Sequence, residues 1–319
     1  MSSIKKYLSL VKFSHTIFAM PFAIIGFFLG IVSKLSVINA FKPDNKESYV
    51  FQQFERDFLN YEFAGKFILV ILCMIFARSA AMAFNRYLDR NFDAKNPRTA
   101  IREIPAGIIS KESALRFVII NCLLFVTATF FINRVCFLLA PVALFVILFY
   151  SYTKRFTPLC HLVLGVGLSL APIGAYLAVT GAFALLPIIF SMAVIFWVSG
   201  FDIIYALQDV EFDQSQKLFS MPAWLGKSKA LRVSEMLHVL SAACVIFAGI
   251  YGDFGWWYWI GIAVFCGMLF YQHSVVKPND LSKVNLAFMT ANGIASVVFA
   301  VFVLLDIFLH HHANPIIKI

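Results

Sequence analysis

The feature that most constrains this chain is the recurrence of apolar runs, each long enough to cross a bilayer. They fall at about 13–33, 64–84, 114–133, 135–152, 159–179, 183–206, 233–251, 255–272 and 285–308. Runs of about 17 to 25 residues span a hydrocarbon core of about 30 Å as helices, and within lipid a helix satisfies its own backbone. The expected fold is therefore all-α: a polytopic membrane protein with nine transmembrane helices around a central cavity. Composition agrees, since 61% of the 319 residues are apolar and only 13% charged, about half the charge of soluble domains. Nothing resembles the alternating segments of an outer-membrane barrel, and the first run lacks the cleavage site of a signal peptide. With no Ser/Gly/Pro-rich linker, residues 1–319 read as a single membrane-embedded domain.

The net charge of +9 would suggest nucleic acid in a soluble protein, but here its distribution carries the information. With the N-terminus inside, most Lys and Arg fall on the cytoplasmic side, which predicts N-in and C-out in the inner (cytoplasmic) membrane, with lipid and not nucleic acid as the surroundings. Residues 1–12 read as a basic amphipathic helix on that face, and 34–63 as a polar external loop. Pro21, Pro141 and Pro172 fall inside spans and are expected to kink them or free a carbonyl. The six cysteines are scattered through apolar runs without a CxxC pair, so no disulfide or metal role is expected of them.

Two stretches depart from this apolar pattern. In NRYLDRNFDAKNPRTAIREIP, Asn85, Asp89 and Asp93 recur every four residues, so a helix continuing from the second span stacks an amide and two carboxylates on one face. In FDIIYALQDVEFDQSQK, Asp202, Asp209, Asp213 and Lys217 follow at intervals of seven, four and four, again returning to one face. The bland alternative for the first stretch is a salt-bridged helix end, with Arg86 and Arg90 neutralising the acids. The second copy argues against it, because parity brings both motifs out on the same side, in loops 85–113 and 207–232. Carboxylates at i and i+4 can hold Mg²⁺ through one oxygen each and leave room for waters and phosphate oxygens, so the pair suggests a shared metal and diphosphate site. Arg98, Arg102, Lys154, Arg155 and Lys217 lie on that side and can bind phosphate, although positive-inside anchoring explains them as simply. Arg78 sits within an apolar run and must face a partner or a polar cavity. His15 lies near the same face on the first span. Asp202, a turn or two inside its span, needs a partner or a function for the same reason.

NRYLDRNFDAKNPRT resembles the NxxxDxxxD motif, and DIIYALQDVEFD the DxxxDxxxD motif, of the UbiA-type intramembrane aromatic prenyltransferases. YSYTKRFT is similar to that family's basic loop between spans four and five. VKFSHTIFAMPFAIIG and YQHSVVKPNDLSKVN look more like the branch of 4-hydroxybenzoate polyprenyltransferases than like haem farnesyltransferases, while Lys12-Phe13-Ser14-His15 stands where an Asp-Arg-Pro is usual. The resemblance implies transfer of a polyprenyl group from polyprenyl diphosphate to an aromatic acid acceptor in quinone biosynthesis, with Mg²⁺ as cofactor. It implies that Asn85, Asp89, Asp93, Asp209 and Asp213 carry the metal, and that Arg102, Lys154 and Lys217 take phosphate charge. Asp202 then stabilises the cation or deprotonates the ring with Tyr205 nearby, and Arg78 or His15 meets the acceptor carboxylate. Dihydroxynaphthoate or haem are alternative acceptors, and a cation-coupled transporter is the distant alternative.

Overall fold

The computed structural model describes residues 3–11, 18–40 and 61–309, and these are mainly helical, with a long loop over 94–110. Following the short α1 (Ser3–Leu10), the long helices are α2 (Met20–Ala40), α3 (Tyr61–Asp93), α4 (Lys111–Ile132), α5 (Arg134–Thr153), α6 (Cys160–Thr180) and α7 (Leu185–Ala206). After a 3₁₀ turn at Leu207–Asp209 come the short α8 (Val210–Ser215) and α9 (Met221–Leu225). Then α10 (Lys227–Tyr251), α11 (Trp256–Val275) and α12 (Asn292–Leu309) complete the bundle, with a π turn at Leu286–Ala291 leading into α12.

Among the described residues, seven helices are long and apolar enough to cross a membrane. The other two expected spans fall on α2, of which Met20–Ser36 is counted as a shorter apolar helix, and on α11. α11 opens on Trp256-Trp257-Tyr258-Trp259 and ends near Gln272 and His273, residues that lower its hydropathy, and the exposed Trp256 and Trp257 suit the membrane interface. His15 and most of the expected external loop lie outside the described residues. The ends of that loop are tied where Lys34 Nζ meets Glu62 at 3.4 Å.

α7 is the most buried span, as its apolar residues on every side require, and it packs against α6 and α10. One hydrophobic cluster joins Phe22 and Phe27 of α2, Phe190 and Trp197 of α7, Phe265 of α11 and Phe299 of α12. α2 approaches α6 so closely that a Cβ on Gly26 would lie 2.0 Å from the Pro172 carbonyl oxygen. Pro141 and Pro172 are inside helices, but Pro21 is not: it occupies the first turn of α2, where its missing N–H has no helical partner to lose.

The two acidic stretches fold differently. α3 runs unbroken to Asp93, as the four-residue spacing predicts. The second stretch is not one continuous helix face: α7 stops at Ala206, Leu207–Asp209 tightens to 3₁₀, and α8 starts again at Val210. Gln208 Nε2 donates to the Tyr205 carbonyl at 3.2 Å, a local bond that competes with the α-helical ladder.

Candidate active site

Both acidic stretches line one cavity of about 280 Å³, with Arg78, Asn85, Asp89 and Asp93 from α3 on its wall together with Asp202 and Tyr205 from α7, Asp209 from the 3₁₀ turn and Asp213 from α8. Its apolar wall includes Leu164, Leu168, Val198 and Phe288. The i, i+4 stacking is direct, since Asn85 Nδ2 donates to Asp89 Oδ2 at 3.2 Å. The loop after α3 then bridges the motifs: Asn96 Nδ2 donates to Asp209 Oδ1 at 3.2 Å, and Arg98 Nε to the same oxygen at 3.0 Å. Arg98 also pairs with Asp209 Oδ2 and donates to the Tyr205 hydroxyl at 3.0 Å.

Four of the cavity acids are each matched to a cation. Besides Arg98 with Asp209, Arg155 meets Asp89 at 3.3 Å, Arg102 meets Asp93 at 2.6 Å and Lys154 meets Asp213 at 2.7 Å. Arg86 and Arg90 make none of these pairs; the Arg90 guanidinium donates instead to the Tyr87 carbonyl. The salt-bridged helix end is thus not what forms, because the acids reach across to cations of other segments. Burial alone would push the Lys154 ammonium down, but Asp213 beside it outweighs that and holds it above the ordinary lysine value. For Arg98, burial is likewise opposed by Asp209, and the guanidinium is held above its usual value. Both stay cationic at any physiological pH.

Asp202 differs from the other four. Its Oδ2 lies 2.7 Å from His161 Nδ1, and His161 Nε2 accepts the Met221 amide at 3.2 Å. His161, at the start of α6, is a site residue that the motif reading missed. Its signal was present, for a histidine in an apolar run needs a polar partner inside the membrane. Asn96 and Arg86 are further cavity residues not anticipated there. Arg78 lines the cavity with its Nε buried and lacking a hydrogen-bond partner, so the polar-cavity alternative is the one realised. Lys217 does not join the site: it follows the end of α8 with φ 53°, is exposed, and is absent from the cavity wall. The helical face on which its spacing was counted ends at Ser215.

The donor set suits a hard divalent cation. Asn85, Asp89, Asp93, Asp209 and Asp213 offer oxygen only, and Asp93 Oδ2 is buried without a hydrogen-bond partner. Among the described residues no three acidic, His or Cys side chains converge as a closed metal cage. Mg²⁺ does not require one, since it keeps waters and takes substrate phosphate oxygens beside one or two carboxylates.

The model of the UbiA prenyltransferase family matches residues 60–303, most of the chain and both acidic stretches. The chain belongs to the UbiA prenyltransferase family. Relatives within that family include a 4-hydroxybenzoate octaprenyltransferase of Nitrosomonas europaea, 29% identical over 233 residues that cover 73% of this chain and 80% of the relative. Another of the same name, from Francisella tularensis subsp. mediasiatica, is 28% identical over 74% of this chain and 83% of its own. Among solved structures, the apo UbiA homolog from Aeropyrum pernix K1 superposes with TM-score 0.71 at 27% identity, covering 93% of this chain and 98% of that one. A UbiA homolog from Archaeoglobus fulgidus, bound to DMAPP and Mg²⁺, shares the fold with TM-score 0.66 at 21% identity, over 95% and 99% of the two chains. This UbiA-family chain is a multi-pass membrane prenyltransferase.

Proposed function

We propose that this UbiA-family enzyme transfers a polyprenyl group from polyprenyl diphosphate to the ring of a 4-hydroxybenzoate-like aromatic acid in respiratory quinone biosynthesis. The observation that carries this reading is the meeting of two acidic motifs across one cavity, with Asn96 and Arg98 of the first loop bonded to Asp209 of the second. The site belongs to a single membrane-embedded domain and opens on the cytoplasmic face of the inner membrane, N-terminus inside and C-terminus outside.

Asn85, Asp89, Asp93, Asp209 and Asp213 would hold Mg²⁺, which when bound supplies charge neutralisation to the diphosphate. In the resting site Arg98, Arg102, Lys154 and Arg155 sit on these carboxylates. A diphosphate offers the same cations oxygens of greater charge, so they can change partner with little movement. As the allylic C–O bond breaks, its electron pair leaves with the diphosphate, and these fixed cations stabilise the charge that develops. Tyr205, with Asp202 nearby, faces the allylic cation left behind. A ring carbon of the acceptor attacks it, the new C–C bond forms, and the displaced ring proton passes to Asp202. Arg78 orients the acceptor through its carboxylate, and the apolar wall keeps water from capturing the cation.

The test is to incubate membranes containing the protein with labelled polyprenyl diphosphate, Mg²⁺ and a panel of acceptors that includes 4-hydroxybenzoate, a dihydroxynaphthoate and haem. Prenylated 4-hydroxybenzoate is the expected product; a prenylated dihydroxynaphthoate or haem as sole product would reassign the acceptor, and no prenylated aromatic with any member of the panel would overturn the reading.

A further inference from the structure

We infer that His161 is a positioning residue: a neutral imidazole, locked in one tautomer, that orients the Asp202 carboxylate toward the acceptor without adding a positive charge beside it. This rests on the reading of Asp202 as the base. The tautomer follows from hydrogen-bond direction. The Met221 N–H can only donate, so the Nε2 that receives it at 3.2 Å carries a lone pair. The proton of the neutral ring then sits on Nδ1 and points at Asp202 Oδ2, 2.7 Å away. His161 is 3% exposed and sits in the first turn of α6, so its ring is held in a buried, fixed setting.

Two consequences separate Asp202 from its neighbours. Asp89, Asp93, Asp209 and Asp213 are each held by a cation, a partner that lowers a carboxylate's affinity for a proton. Asp202 is held on one oxygen by a neutral donor, with its side chain 25% exposed at the cavity wall. Among the described residues it is the cavity acid with no Lys or Arg paired to it, which favours it as the proton acceptor. His161 itself is no relay, because its second nitrogen is already occupied by a backbone N–H that neither gives up its proton nor takes on another.

The amide that sets the tautomer comes from the loop that closes the diphosphate end. Ser220, the N-cap of α9, donates to Asp213 Oδ2 at 2.9 Å, and the next residue supplies the N–H to His161. The dipeptide Ser220-Met221 therefore spans the two halves of the site, one residue on an acid of the second motif and the other on the partner of Asp202.

His161→Leu, His161→Gln and Asp202→Asn, assayed in membranes with labelled geranyl diphosphate, 4-hydroxybenzoate and Mg²⁺, test the inference. Leu removes both hydrogen bonds, and kcat should fall on the order of 100-fold through misplacement of the carboxylate while KM for geranyl diphosphate stays within about threefold. Gln can donate to Asp202 and accept from Met221, and should restore most of the lost kcat. Wild-type turnover in His161→Leu, or equal loss in both variants, would overturn the positioning role. Should His161→Leu fail to reach the membrane, ¹⁵N spectra of histidine-labelled wild-type protein, with His161 assigned by its absence from His161→Gln, decide the matter. The expected signature at pH 7 is a neutral ring protonated at Nδ1; an Nε2-protonated ring or an imidazolium contradicts it. Near-normal turnover in Asp202→Asn would instead remove the base assignment, and the catalytic part of the inference with it, whatever the tautomer.

Discussion

Arg78 is the residue whose placement most narrows the acceptor. Its Nε is buried without a hydrogen-bond partner at the cavity wall, and a cationic side chain with a buried, unmatched donor in the membrane domain suits an anionic ligand. Arg78→Leu should raise KM for an aromatic acid by about tenfold or more and leave KM for the prenyl diphosphate unchanged, the pattern of a lost binding contact made to one substrate. Steady-state kinetics varying each substrate in turn check this, and an unchanged acceptor KM would contradict it. The place of Arg78 at the cavity was legible from a charge inside an apolar run, and that of Asn85, Asp89 and Asp93 from their spacing, while Asp202, Asp209 and Asp213 reach the cavity although their helix is interrupted. Which cation meets which acid was not legible, because Arg98, Arg102, Lys154 and Arg155 lie on loops whose course no helical periodicity fixes. His161 was overlooked for the opposite reason, as it carries no motif and only its partner reveals it.

At the scale of the helix, two close fits position the cavity. α2 meets α6 at Gly26, where a Cβ would collide with the Pro172 carbonyl oxygen, so Gly26→Ala should destabilise the fold by about 1 to 3 kcal/mol. A lowered melting temperature of the purified protein, with kcat retained at low temperature, is the expected result; an unchanged one would deny the contact. The second fit is the π turn at Leu286–Ala291. The Asn292 amide donates to the Phe288 carbonyl at 2.9 Å, while its oxygen accepts from Trp197 Nε1 at 2.9 Å and Gln272 Nε2 at 2.8 Å. An amide inserted into the helical ladder in this way is a physical cause for the turn, and the turn sets Phe288 against Tyr205 with ring centroids 4.3 Å apart. Asn292→Leu leaves the two donors without an acceptor, and a loss of about 1 to 3 kcal/mol should appear as a lower melting temperature; no change would show the hub to be dispensable. The apolar runs made the long helices legible. The 3₁₀ break before α8 was hidden, since Tyr205-Ala206-Leu207-Gln208 contains neither Gly nor Pro, and the bond from Gln208 back to the Tyr205 carbonyl becomes visible only in three dimensions.

Taken as a whole, the molecule is an apolar bundle that gathers its charge at one chamber. Four carboxylates and four cations neutralise one another there, a resting arrangement that keeps the site soluble in its own surroundings and ready for a ligand bearing both signs. A magnesium diphosphate is such a ligand, so chelation of Mg²⁺ should abolish prenyl transfer, and readdition restore it. Whether the two acidic motifs act on one diphosphate is decided by Asp89→Asn and Asp209→Asn, measured as Mg²⁺-dependent prenyl transfer in membranes with labelled prenyl diphosphate and 4-hydroxybenzoate. Each variant, though altered on a different helix, should lose on the order of 100-fold or more in kcat; near-normal turnover in either one would contradict the shared site.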